Sequence, residues 1–241
     1  MYAILADIHG NLCALRSVSE DMKRFNIDGV ILLGDLVDYG MRSNEVVAFL
    51  KNEFGYKIIC NIWGNHEYSI MRNDYSRFSS ERGAKCAKYT SSILTNQSRA
   101  YINDNMICEG ISEFSINGRK CLAVHGSLDD IFWKAIGPEN VCGEYLTYDV
   151  VFSGHSHYPH AFIKAYPVDD PKMRNKHMVL FINPGSVGQP RNHNPNAQYA
   201  LFDVTSGSIS MQSVNYDVYS EMSFYNDNID DFYRNRIALG I

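Results

Sequence analysis

Five times in this chain, a short apolar run stops on aspartate, asparagine or histidine, and this adjacency constrains the fold more than any other feature. Asp7-Ile8-His9 follows residues 2–6, and Gly34-Asp35 follows residues 29–33. Gly64-Asn65-His66-Glu67 comes soon after residues 57–60, His125 follows the run CLAV, and Gly154-His155-Ser156-His157 follows DVVF. Runs this short have the length of buried strands. In open α/β sheets ligands collect beyond the carboxyl ends of strands, so five loops can converge on one site.

The segments between the first three runs carry apolar residues at helical spacing. Leu12, Leu15, Val18, Met22 and Phe25 share one stripe, and Val46, Val47, Leu50 and Phe54 another. Each stripe predicts a helix covering one face of a sheet, giving β-α-β-α-β with parallel strands. From about residue 69 to 105 the chain turns polar around a helical stretch at 84–94, which reads as a small helical cap. Strand-like runs then follow at 108–116, 120–124, 150–152, 161–165, 178–182, 199–204 and 208–214. A second, mostly antiparallel sheet accommodates them. The hydrophilic stretch 168–176 reads as a loop between two strands, and the Tyr-rich, acidic tail after Tyr216 has no assigned role.

The 241 residues, 45% hydrophobic and 20% charged, suffice for one sizeable core, so a single domain over 1–241 is expected. A net charge of -5 offers no field that would draw in nucleic acid or an anionic membrane surface. No Lys/Arg cluster forms the basic groove of a nuclease. The cysteines at 13, 60, 86, 108, 121 and 142 form no C-x-x-C pair and read as reduced core thiols. No apolar run approaches the ~18 residues of a membrane span, so a cytoplasmic protein is expected.

Histidine and carboxylate together suit borderline divalent metals such as Mn, Fe, Zn or Ni, whereas an all-oxygen set would suit Ca or Mg. Residues two apart on an extended segment point the same way, so Asp7 with His9, and His155 with His157, can each present two donors. Glycines 34, 64, 126 and 154 let the backbone turn tightly beside the site. Any one piece would be unremarkable, since a lone Asp-x-His is usually a turn or cap. All five occur in order at strand ends and hold five of the eight histidines.

Over roughly residues 3–191, the series DIHGN, GDLVDYG, GNHE, His125-Gly126 and GHSH resembles the calcineurin-like metallophosphoesterase superfamily. The resemblance implies an α/β (α+β) four-layer αββα sandwich, with two central mixed β-sheets flanked by helices. It further implies two divalent or trivalent transition-metal ions per chain and a small phosphoester as the partner. Asp7, His9, Asp35 and His157 would hold one ion, with Asp35 bridging to a second completed by Asn65, His125 and His155. His66 would stand beside the substrate phosphate as the catalytic proton donor, oriented by Asp38, whose alternative reading is a turn cap.

Two ions about 3.5 to 4 Å apart can bring a bridging water to hydroxide near neutral pH and clamp phosphate oxygens. Asn11 reads either as a helix cap or as a phosphate contact. Arg191, in a segment resembling a C-terminal motif of the prokaryotic phosphodiesterase-like branch, reads either as a phosphate-binding fork or as a surface arginine. His160 and His193 read as loop residues.

Serine/threonine protein phosphatases and diadenosine tetraphosphatases share the GNHE and GDLVDYG elements. They carry arginines where Tyr39 and Trp63 stand here, and His-Gly-Gly where this chain has His125-Gly126-Ser127. The smaller phosphodiesterase-like branch is therefore expected. A non-catalytic protein-binding scaffold on the same fold is the alternative of another class.

Overall fold

The computed structural model describes every residue except Cys142, whose predicted core thiol lies outside the described residues. The remaining five cysteines are free, with Cys60, Cys86 and Cys121 buried.

Strands β1 (Tyr2–Leu5), β2 (Gly29–Leu32) and β3 (Ile58–Asn61) pair in parallel, joined by helices α1 (Leu12–Met22) and α2 (Ser43–Asn52) as the stripes require. α1 ends before Phe25 and α2 before Phe54, although Phe54 remains buried. Three further helices follow: α3 (Asn65–Arg72), α4 (Glu81–Ile93) and α5 (Asn96–Asn105). Ile70, Ala87, Leu94 and Ile102 join the same apolar cluster as α1 and α2, so these helices share the outer layer over the first sheet.

The second sheet, in the order β4-β5-β6-β8-β7, contains β4 (Ile111–Ile116), β5 (Arg119–Val124), β6 (Val150–Ser153), β7 (Pro159–Pro167) and β8 (Lys176–Pro184). It is mixed rather than mostly antiparallel: β6 pairs in parallel with both β5 and β8, while β4 and β7 lie antiparallel at the edges. Residues 108–110 are a turn, not strand, and His160 lies within β7 rather than in a loop. β9 (Ala197–Asp203) and β10 (Ser208–Val214) belong to the first sheet, where β9 runs antiparallel to β1. The result is two mixed five-stranded sheets in an α/β sandwich flanked by helices.

Strand alternation sorts the core into layers. Ala3, Leu5, Val30 and Leu32 face the helices. Ile4, Ile31, Cys121, Ala123, Val150 and Phe152 meet between the sheets, and Leu122, Val124 and Val151 pack outward against Ile136, Tyr145 and Tyr148. That outermost layer contains a 3₁₀ turn at Gly143–Thr147.

The tail forms α6 (Val218–Met222) and α7 (Asp231–Leu239). Glu221 in α6 is fully buried, accepting from Arg42 and from the Cys13 amide. The tail thereby ties down the starts of α1 and α2. Among the described residues, no helix is long and apolar enough to cross a membrane.

Candidate metal centre

β1, β2, β5 and β6 end at one edge of the sandwich, and their loops bring the candidate residues together. Asp7, His9, Asp35 and His157 place one donor atom each within 4.8 Å of one another, as do Asp35, His125 and His155, with Asp35 common to both groups. Asn65 joins the second group, its Oδ1 lying 3.0 Å from both His125 Nε2 and His155 Nδ1. All of these residues are buried except His155, which is half-buried.

The loops reach this arrangement through strained backbone rather than extended segments. Asp7 (φ 55), His9 (φ 48), Asp35 (φ 54), Asp38 (φ 74), Tyr39 (φ 58), His155 (φ 63) and His157 (φ 60) all adopt left-handed conformations. The expectation that Asp7 with His9, and His155 with His157, point to one side of an extended segment is corrected: turns aim each donor separately. Each such residue costs about 1–3 kcal/mol, so the surroundings must enforce them.

Glu67 is one of those enforcers. Fully buried, its carboxylate accepts the amides of Asp35 (2.8 Å), Leu36 (2.7 Å), Val37 (3.2 Å) and Gly64 (2.8 Å). A Cβ on Gly64 would sit 2.1 Å from Asp35 Oδ1, so glycine serves close approach here rather than a turn. Ser186 is a second, its hydroxyl donating to the Asp7 carbonyl at 2.7 Å while the Gly188 amide reaches the same oxygen at 3.1 Å. Neither Glu67 nor Ser186 stands out in the sequence; the only hint is their place inside GNHE and NPGSVGQP.

Imidazole orientation is set by carbonyls. The Nδ1–H groups of His9, His125 and His157 donate to Val37 O (3.2 Å), Leu33 O (2.7 Å) and Gln189 O (2.6 Å). A carbonyl only accepts, so Nδ1 carries the hydrogen and Nε2 is left to bind, the arrangement typical of metal-ligating histidines. Burial holds the His9 and His157 pKa values well below the ordinary range, with His66 adding to the effect on His9 and Arg191 to that on His157. Burial and His125 hold His155 down to about 3.

His125 behaves oppositely. Burial lowers its pKa, but the Asp35 carboxylate outweighs that and raises it to about 9. Burial lifts Asp7 to about 7, with Asp35 reinforcing it against His125 and Arg191. For Asp35 burial works upward, yet His125, His66 and His9 together hold it well below the carboxylate range.

The donor set fits cations. His9 Nε2 and His157 Nε2 face each other at 3.2 Å as two lone pairs, and Asp7 Oδ2 is buried without a hydrogen-bond partner. Positive charge between these atoms satisfies both.

His66, on the first turn of α3, sits to one side. Its Nδ1 donates to Asp38 Oδ2 at 2.6 Å and its Nε2 lies 3.9 Å from Asp35 Oδ2. Thr90 of α4 donates to the other Asp38 oxygen at 2.7 Å. Burial opposes protonation of His66, but Asp35 and Asp38 outweigh it and raise the pKa.

Asn11 is corrected to the structural reading. Its Oδ1 caps α1 by accepting from Ala14, and its amide hydrogens go to Gly188 O and Tyr216 Oη, leaving none for a phosphate. Arg191 lines the cleft over the cluster, and its buried Nε has no partner. That cleft, about 310 Å³, is also lined by Tyr39, Asn65, His66, Arg77, Phe78, Ser79, Trp133, His155 and His157. Tyr39 stacks on Tyr233 of α7, ring centroids 4.5 Å apart, so the tail also supports the cleft wall.

Comparison with known proteins agrees with this geometry. The family model described as the calcineurin-like phosphoesterase superfamily domain matches residues 1–207. An uncharacterised protein, MJ0912 of Methanocaldococcus jannaschii, is 30% identical over 231 residues, covering 90% of this chain and 88% of that one. A metallophosphoesterase from Sphaerobacter thermophilus shares the fold with a TM-score of 0.74 at 23% identity, covering 100% of this chain and 99% of that one. The hypothetical protein PH1004 from Pyrococcus horikoshii does so at 0.73 and 22%, covering 97% and 98%. By the family match over residues 1–207, the chain belongs to the calcineurin-like phosphoesterase superfamily.

Proposed function

We propose that the protein hydrolyses small phosphoesters, preferring diesters, with two transition-metal ions held by Asp7, His9, Asp35 and His157 and by Asp35, Asn65, His125 and His155. The observation that carries this reading is the sharing of Asp35 between two donor groups, each with its ligand atoms within 4.8 Å of one another. When bound, the cations supply Lewis acidity, making water a better nucleophile and offsetting charge on phosphate oxygens.

The chain's own residues do the rest. Arg191, with a partnerless Nε over the cluster, offers a planar fork of donors to phosphate oxygens. His66 lines the same cleft, and Asp35 and Asp38 raise its pKa against burial, which favours the protonated ring. As water oxygen bonds to phosphorus and the bond to the leaving oxygen breaks, His66 passes that proton to the leaving oxygen. Asp38, held by Thr90, keeps the ring aimed and stabilises its charged form.

A protein-phosphatase reading lacks support at two positions. Tyr39 presents a ring tilted against His9 and edge-to-face with His66 where that branch has arginine, and the Trp63 indole is buried and donates to Ile102 O. Metal analysis of the purified protein, followed by assays with added Mn, tests the proposal. The substrates are bis-p-nitrophenyl phosphate, p-nitrophenyl phosphate, a phosphopeptide and diadenosine tetraphosphate. The diester should turn over fastest; preference for the phosphopeptide overturns the branch, and a fully metal-loaded protein inert on all four overturns the hydrolase.

A further inference from the structure

Two aromatic rings stand beside the histidines at the cleft floor, contributed by segments far apart in sequence. The Phe78 ring lies 5.2 Å from His66, and the Trp133 ring lies 6.5 Å from His155. The two rings meet at 5.4 Å and 84°, making an aromatic corner between the proton donor and the second donor group. Both rings are half-buried and line the cleft.

The corner is braced from outside. The Arg77 guanidinium sits 5.3 Å over the Trp133 ring and is itself anchored to Asp130 by a 2.5 Å hydrogen bond, while the Asp130 carboxylate also accepts the Trp133 amide. The indole N–H has no acceptor, so the ring is held by its face and backbone rather than its polar edge.

We infer that this corner selects phosphoesters bearing a flat aromatic group, a nucleobase or an aryl ring, next to the scissile phosphate. The inference rests on the phosphoesterase reading and deepens it. Perpendicular rings favour a planar guest: it stacks face to face on one wall and meets the other edge to face, both preferred aromatic geometries. A puckered aliphatic group of equal size gains burial but neither quadrupole contact. A cleft of about 310 Å³ also suits a group of nucleotide size better than a peptide or a nucleic-acid strand.

The test is calorimetric binding to the metal-loaded protein, which does not depend on turnover. Two matched pairs are compared: adenosine 5′-monophosphate with ribose 5-phosphate, and phenylphosphonate with cyclohexylphosphonate. Methylphosphonate, too small to reach the corner, is the reference. Ring stacking predicts that at least one aromatic member binds about tenfold tighter than its partner. The nucleotide pair responding points to a base, and the phosphonate pair to an aryl ester.

Phe78→Leu and Trp133→Leu, each measured separately, should collapse that ratio toward one. Ratios within twofold in the native protein, or ratios unchanged in both variants, overturn the corner. If methylphosphonate binds under those conditions, the phosphoesterase reading survives; if it does not bind at all, both readings fall.

Discussion

His9 and His157 approach each other through their Nε2 atoms at 3.2 Å, each with its Nδ1 hydrogen already given to a main-chain carbonyl. Two neutral imidazoles in this arrangement repel, and burial holds both rings neutral. A cation between them turns the repulsion into coordination.

Metal affinity should therefore be proton-linked. In the metal-free protein Asp7 titrates at about 7 and His125 at about 9, so below these values both carry protons that a cation must displace. Affinity should rise from about pH 6 to about pH 9 and then level off, with protons released on binding. Calorimetry in buffers of different ionisation enthalpy counts those protons; an affinity flat across that range refutes the assignment of Asp7 and His125.

His66→Ala separates chemistry from metal binding. Its imidazole stops 3.9 Å from Asp35 Oδ2, and the main-chain amide that donates to Asp35 Oδ1 survives in alanine, so metal content should match the native protein while kcat falls by about 10²- to 10⁴-fold. Elemental analysis beside steady-state kinetics decides it, and near-native kcat in a metal-loaded variant removes His66 from the mechanism.

Thr90 should matter to catalysis despite lying on α4, away from the cluster. Its hydroxyl fixes the Asp38 oxygen opposite the one that holds His66. Losing a buried hydrogen bond of about 1 kcal/mol corresponds to roughly a fivefold drop in kcat for Thr90→Val. KM should change little and Thr90→Ser should restore the rate; equal loss in the serine variant would mean that packing, not the hydroxyl, is at stake.

Glu67→Gln should weaken the fold and the metal site together. The four amides that converge on the carboxylate cannot all be satisfied by a carboxamide whose nitrogen donates, at a cost of about 3 kcal/mol. Urea unfolding of the metal-free protein reads the loss directly, and a change below about 1 kcal/mol would show the anchor to be dispensable.

Gly188→Ala should be among the most damaging single-methyl additions. The new Cβ would lie 1.8 Å from the Ile8 carbonyl oxygen, in the loop that holds Asp7 in place. Because the clash is with backbone, relief requires the 183–191 segment to move, at about 3 kcal/mol, and metal affinity should fall with stability. Thermal unfolding with and without Mn checks both effects.

Much of the protein is legible in its sequence. The five strand-end clusters and the helical stripes of Leu12 to Met22 and Val46 to Leu50 are local patterns, because alternation and 3.6-residue periodicity are properties of neighbouring residues. The candidate donors could be named from those patterns and from the resemblance to a known family.

What only tertiary structure decided depends on residues distant in the chain. β9 and β10 joined the first sheet because β9 pairs with β1, a choice their own alternation cannot encode. The left-handed turns at Asp7, Asp35 and His157 are unfavourable locally and persist because Glu67, Ser186 and the Gln189 carbonyl hold the loops from elsewhere. Asn11 is equally telling: its sequence position admits both cap and phosphate contact, and only the arrival of Gly188 and Tyr216 consumes its amide. Residue types and their spacing thus determined which groups were available, whereas long-range hydrogen bonds and packing determined where each lone pair points, since those energies exist only once separated segments meet.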